Sequence, residues 1–150
     1  MAQSLEHFEQ FHFVKRLVKI IQPQFRVFST SNIEHNQCVL DLRLKTIEIG
    51  EGTDILTAVG AILFQAGHLR LRKDKRFKEH FGSMDGVKDE ALLISKLSAQ
   101  GYLADKLALE WAISVMSSNW NLHPSKTRPI IQVLVWSESD WNNYYLKNGL

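Results

Sequence analysis

Two helical segments rich in small residues constrain most strongly how this chain can fold. The first is predicted to begin at Thr53, which can act as its N-cap, and to extend to about Arg72 or beyond. The second is the long helical region 87–118, which Gly101 could kink or divide. Small residues that would let the two helices approach closely occur in both segments: Gly60, Gly67, Ala104, Ala108 and Ala112. We therefore expect one helix to pack directly on the other.

The segments around this helix pair predict an α+β protein. Ser4 can cap an amphipathic N-terminal helix that Pro23 ends. The stretches "FRVFST" and "NQCVLDLRLKTIEIG" alternate in polarity and predict two or three antiparallel strands. "IIQVLVW" predicts a further strand, and "SESDWNNYYLKNGL" predicts a short capped C-terminal helix. Because no repeat or linker is visible, we expect residues 1–150 to form a single domain.

The composition argues against several classes of protein. A formal net charge of +2 is too small to indicate nucleic acid or an anionic membrane by itself. The single cysteine, Cys38, lies in an alternating apolar run, so we expect a buried, reduced thiol, as suits a reducing compartment. The sequence shows neither a signal-peptide pattern nor an apolar run long enough for a membrane span. We therefore expect a soluble, cytoplasmic protein.

Two pairs of residues suggest where a site would lie. Phe64 and His68 are four residues apart, so they share a helix face, and Gln65 lies beside them. Gly101 and Asp105 are also four apart on the second helix. A zincin metallopeptidase needs two histidines at this spacing, a glutamate base next to the first histidine, and a third ligand from another element.

The sequence around these two pairs of residues also resembles a zincin. "AILFQAGHLRL" resembles the I-L-x-H-E-x-x-H helix, and "GYLADKLALEWA" resembles the E-x-x-A-D-x-x-A helix, of the gluzincin family that includes the HtpX heat-shock protease and the CAAX prenyl proteases. "CVLDLRLKTIEIGEGT" looks like the edge strand of that family and its turn into the active-site helix. The resemblance covers roughly residues 36 to 115. It implies a zincin-like fold with a small antiparallel sheet packed against an active-site-type helix and a second long helix.

The departures from the family motif all remove catalytic groups. In the resemblance, Phe64 stands in place of the first zinc histidine, Gln65 in place of the glutamate base and Gly101 in place of the third ligand. His68 matches the second histidine, and Asp105 matches an aspartate that supports the site. Since phenylalanine and glycine cannot ligate zinc and glutamine cannot act as a base, we expect no catalysis, no metal and no cofactor. The protein would then be a pseudo-peptidase that binds another protein as a subunit, adaptor or inhibitor.

His68 leaves two further interpretations open. It could pair with Asp105 across the helix interface, which we favour because a buried carboxylate needs hydrogen-bond donors. It could instead recruit two of His35, His80 and His123 into a rebuilt metal site, which would make the protein a metal-dependent hydrolase. The spacing of these histidines matches no ligand motif.

A basic run follows the first of the two helices. It contains Arg70, Arg72, Lys73, Lys75, Arg76 and Lys78. Such a cluster at a helix C-terminus is usually a solvated face, but it could dock an acidic protein surface or a phosphate backbone. Few aromatic residues are interleaved with it, so a nucleic-acid-binding module is the minor alternative.

The aromatic residues of the second half form another set of candidates. Trp111 and Trp136 look like core residues. Trp120, Trp141 and Tyr145 lie in a predicted loop and the terminal helix, where they could anchor a partner protein or pack back on the domain.

Overall fold

Six α-helices and a three-stranded mixed sheet make up the described part of the chain. The structure is a computed structural model that describes residues 4–80 and 87–148. After a short 3₁₀ helix, Leu5–His7, the elements are α1 (Glu9–Ile21), β1 (Arg26–Thr30), β2 (Cys38–Asp41), β3 (Thr46–Gly50), α2 (Ile55–Arg72), α3 (Lys75–His80), α4 (Glu90–Trp120), α5 (Pro124–Gln132) and α6 (Glu138–Asn148). The expected α+β class is confirmed. Ser4 caps the 3₁₀ helix rather than α1.

The sheet is mixed rather than antiparallel, so that prediction was wrong. Its strand order is β1-β3-β2, with β1 parallel and β2 antiparallel to β3. The chain leaves β1, forms β2 at the far edge and returns as β3 in the middle. A tight turn makes this return possible, since the Asp41 carboxylate accepts the N–H groups of Arg43 and Leu44 and Lys45 has a φ of 57°. Leu42 and Leu44 therefore lie in a turn and not in a strand.

Helix α2 lies at the centre of the fold and ends at Arg72, as predicted. Its N-cap is Asp54, whose carboxylate accepts the N–H groups of Leu56 and Thr57. Thr53, the predicted cap, is instead buried, and its hydroxyl donates to the Gly50 carbonyl at 2.6 Å. Ten residues of α2 are buried against helices and sheet: Ala58, Val59, Gly60, Ala61, Ile62, Leu63, Phe64, Ala66, Gly67 and Leu69. Such a helix forms because packing surrounds it on nearly every side.

The expected close packing of two helices is found between α2 and α4. A Cβ added at Gly67 would lie only 2.9 Å from the Cα of Ala108, so the two backbones almost touch there. Helix α4 continues past Gly101 without a break. Within residues 4–80 and 87–148, neither α4 nor any other helix combines the length and apolar content that crossing a membrane requires.

The stretch "IIQVLVW" is not a strand, which corrects a second prediction. Ile130, Ile131 and Gln132 form the last turn of α5, and residues 133–136 connect this helix to α6. The cause lies upstream, since His123 caps the helix and Pro124 occupies its first turn. Ile131 is fully buried and packs at Gly60 of α2. The predicted capped C-terminal helix is confirmed.

We expect Gly67→Ala to destabilise the protein more than Gly60→Ala does. Both changes gain the same helix propensity, about 1 kcal/mol. The added methyl at position 67 meets the backbone of Ala108 at 2.9 Å, whereas at position 60 its nearest neighbour is a side-chain atom, Cγ1 of Ile131, at 3.0 Å. Overpacking should make Gly67→Ala less stable than Gly60→Ala by about 1–3 kcal/mol in urea unfolding followed by circular dichroism. Equal stabilities of the two variants would contradict the close contact.

Candidate functional site

Asp105 is the point at which α2, α4 and the C-terminal segment meet. Only 3% of the residue is exposed. Its carboxylate lies 2.8 Å from His68 Nε2, and it accepts the backbone N–H of Trp136 at 3.0 Å and the indole Nε1–H of Trp141 at 3.1 Å. The expected pairing of His68 with Asp105 is therefore confirmed. We call these residues, with Gly101, the Asp105 cluster.

The contacts of the Asp105 cluster define which nitrogen of His68 carries a proton. An ionised carboxylate can only accept hydrogen bonds, and three nitrogen atoms face this one. His68 Nε2 therefore donates, and Nδ1 is the remaining hydrogen-bonding atom of the ring. The ring also meets Phe64 edge-on, with the two centroids 4.9 Å apart. Phe64 itself is 4% exposed and belongs to the core.

Trp141 occupies the space in front of Gly101. A Cβ added at Gly101 would lie 2.7 Å from the indole Cδ2 of Trp141, closer than such atoms approach in proteins. The indole is held there by its bond to Asp105, and Tyr145 stacks on it with a centroid distance of 6.1 Å. In the resemblance, Gly101 takes the place of the third zinc ligand. That position is covered by the chain's own C-terminal helix.

Two cavities flank the Asp105 cluster. The larger, of about 770 Å³, lies between β2 and α6, and we call it the β2–α6 groove. Its apolar walls include Val39, Leu40, Leu42, Leu134 and Tyr144. The smaller, of about 300 Å³, lies between α2, α3, α4 and α6, and we call it the α3–α4 pocket. His68, Arg72 and Trp141 line both cavities.

Gln65 and Cys38 lie along the β2–α6 groove. Gln65, at the position of the base in the resemblance, is half-buried, and a neutral amide there cannot take a proton from water. Burial raises the pKa of the Cys38 thiol to about 12, so the group stays protonated at physiological pH. The residue as a whole is only partly buried, so the expectation of a buried thiol is met only in part.

The structure describes the side chains of two of the three histidines considered for a rebuilt site, and it places both in other parts of the fold. His35 lies in the loop beside Gly50 and Gly52, and His123 caps α5 through its Nδ1 and Ser125. The side chain of His80 lies outside the described residues. Among the side chains that the structure does describe, no three His, Cys, Asp or Glu residues come together as a metal site would require. The geometry therefore offers no support for the rebuilt metal site.

Some residues of the basic run contact other described residues through their side chains, and others have no such contact within the described part of the chain. The Arg70 guanidinium lies 4.9 Å from the Trp111 ring centre, Lys73 donates to the Ile21 carbonyl at the end of α1, and Arg76 is 3.6 Å from Asp74. Arg72 and Lys75 are exposed, and Arg72 lines both cavities. The side chain of Lys78 lies outside the described residues. The run is therefore not a continuous free basic surface.

The aromatic candidates occupy different places. Trp120 is the last residue of α4 and packs edge-on to Phe13, with centroids 5.4 Å apart. Trp141 and Tyr145 belong to the site. Trp136, expected in the core, is instead 41% exposed and bonds Asp105 through its backbone. This role could not be predicted from the sequence, because the hydrogen bond uses a backbone N–H group, which every residue except proline has.

No protein-family model, curated protein or solved structure matches the chain. The resemblance to gluzincins therefore stays a prediction from the sequence motifs, and function has to be inferred from the geometry of the site.

We expect Asp105→Asn to destabilise the protein strongly. The amide keeps the shape of the carboxylate but carries no charge, and its nitrogen can only donate, so His68 must change tautomer to accept from it and the charge-assisted hydrogen bonds are lost. The free energy of unfolding should fall by about 2–4 kcal/mol in urea titration.

Glu110→Gln is the matched control on the same helix. The Arg128 guanidinium, by hydrogen bonding, holds the pKa of Glu110 below its usual value, but this pair lies at the surface. Loss of this ion pair should lower the free energy of unfolding by less than about 1 kcal/mol. Similar losses in the two variants would contradict the central role of Asp105.

Proposed function

We propose that the protein is a catalytically inactive, zincin-like pseudo-peptidase that acts as a protein-binding subunit, adaptor or inhibitor. The observation that carries this proposal is the position of Trp141. Its indole lies on Gly101 and donates to Asp105, so the chain's own helix covers the place where the resemblance puts a third ligand.

The chemistry of the neighbouring positions supports the same proposal. Phe64 has no atom that can ligate zinc, and Gln65 has no group that can act as a base. His68 has an imidazole, but Nε2 is committed to Asp105 at 2.8 Å. Binding zinc through Nδ1 alone would give one protein ligand, where catalytic zinc sites use three.

The β2–α6 groove is the surface that we propose for the partner. Strand β2 is an edge strand with β3 on one side only. Large apolar residues are exposed along the groove, with exposed fractions of 40% for Val39, 44% for Leu42, 41% for Trp136 and 44% for Tyr144. Free backbone groups next to apolar walls fit an extended apolar segment of another protein, which would add a strand beside β2.

We expect the purified protein to bind zinc well below one equivalent after dialysis against a zinc buffer. Elemental mass spectrometry of the wild type and of His68→Ala would give the same low content, because His68 is bonded to Asp105 rather than exposed for ligation. Zinc near one equivalent in the wild type, lost in His68→Ala, would overturn the proposal and favour a metal-dependent hydrolase.

The partner surface can be tested by a pair of variants. A photo-crosslinking residue at position 39 identifies the protein bound in cells, and the complex is then reconstituted from purified components. Val39→Glu places a charge inside the groove and should weaken this complex at least about tenfold. Val133→Glu is the control, since Val133 is 79% exposed and does not line the groove. Equal affinities of the two variants would contradict binding in the groove.

A further inference from the structure

The α3–α4 pocket has the build of a small-ligand site. Its apolar walls come from four helices and include Leu71, Phe77, Leu97, Ala104, Trp141 and Tyr145. Polar atoms form almost as much of its surface as apolar atoms do, and they include the Arg72 guanidinium, the His68 imidazole and the Gln100 amide. Ligand sites in proteins combine apolar walls with polar groups that orient the ligand. Its volume of about 300 Å³ is at the lower end for such sites, so a small ligand is indicated.

Arg72 gives the pocket its charge. Unlike Arg70, Lys73 and Arg76, it forms no ion pair or hydrogen bond with a described residue. No aspartate or glutamate lines the pocket among the described residues. A guanidinium that has no acidic partner among the described residues favours an anion, and a carboxylate can meet the guanidinium through two parallel hydrogen bonds.

His68 and Gln100 add hydrogen-bonding capacity to the same pocket. Because Nε2 of His68 is held by Asp105, Nδ1 is the atom that remains for a ligand. The Gln100 amide nitrogen is a donor that a carboxylate oxygen can accept from. Gln100 can therefore donate to an anion next to the apolar walls, whereas Nδ1 of the neutral His68 ring can only accept a hydrogen bond.

We propose that the α3–α4 pocket binds a small carboxylic acid with an apolar body, such as a bicyclic aromatic acid, with its carboxylate on Arg72. The ligand is bound and not transformed. The proposal does not depend on the protein partner, because Val39 and the other residues along β2 do not line this pocket.

The test compares 2-naphthoate with its neutral isostere 2-naphthamide. Each is titrated into ¹⁵N-labelled protein, and the indole N–H signals are assigned by replacing the other tryptophans one at a time. We expect 2-naphthoate to shift the Trp141 signal saturably and to bind about tenfold or more tightly than the amide, because only the acid pairs with Arg72. Equal binding of acid and amide, or no saturable shift with either, would overturn the proposal.

Two arginine variants localise the charge effect. Arg72→Gln should weaken 2-naphthoate about tenfold and leave 2-naphthamide unchanged. Arg76→Gln is the matched control, because its side chain is 91% exposed and does not line the pocket. Equal affinities of the two variants for 2-naphthoate would overturn the assignment to Arg72. If Arg72→Gln does not fold, the comparison of 2-naphthoate with 2-naphthamide in the wild type still tests whether the pocket prefers an anion. Val39→Glu should bind 2-naphthoate normally, which separates this proposal from that of the protein partner.

Discussion

The carboxylate of Asp105 joins parts of the chain that are otherwise held by different contacts. A buried carboxylate is costly unless it is hydrogen-bonded, and this one is bonded by a side chain of α2, a backbone group before α6 and a side chain within α6. Helix α6 has no buried residue of its own. The hydrogen bonds to Asp105, together with the packing of α6 on α4, hold α6 at the wall of both cavities.

The contact between α2 and α4 makes this arrangement possible. At Gly67 the helices are close enough that no side chain separates their backbones. This brings His68, one residue further along α2, within hydrogen-bond distance of Asp105 on α4. The α3–α4 pocket lies beside this contact and is lined by residues of both helices. The close contact of α2 with α4 thus determines where the hydrogen bond between His68 and Asp105 can form.

The features that were predicted correctly from the sequence are those that depend on the pattern of neighbouring residues along the chain. The span of α2, the presence of a long helix in the region of α4 and the facing of Phe64 with His68 follow from helical periodicity, and the polarity of Asp105 implied a partner. The parallel pairing of β1 with β3 could not be predicted, because strand order depends on contacts between distant segments. The helix at Ile130 and Ile131 was missed since an apolar β-branched run fits either a strand or a buried helical turn. The role of Trp136 was missed because it uses the backbone.

Gly101 and Trp141 cannot be considered separately. The indole fills the volume that any side chain at position 101 would need, and the glycine is what allows the indole to reach Asp105. Each residue is permissible only because of the other. A substitution that enlarges position 101 is therefore compatible with this fold only after position 141 has become smaller, which makes the two an epistatic pair. The order in which such changes could accumulate is constrained, and a larger side chain at position 101 is not accessible in a single step.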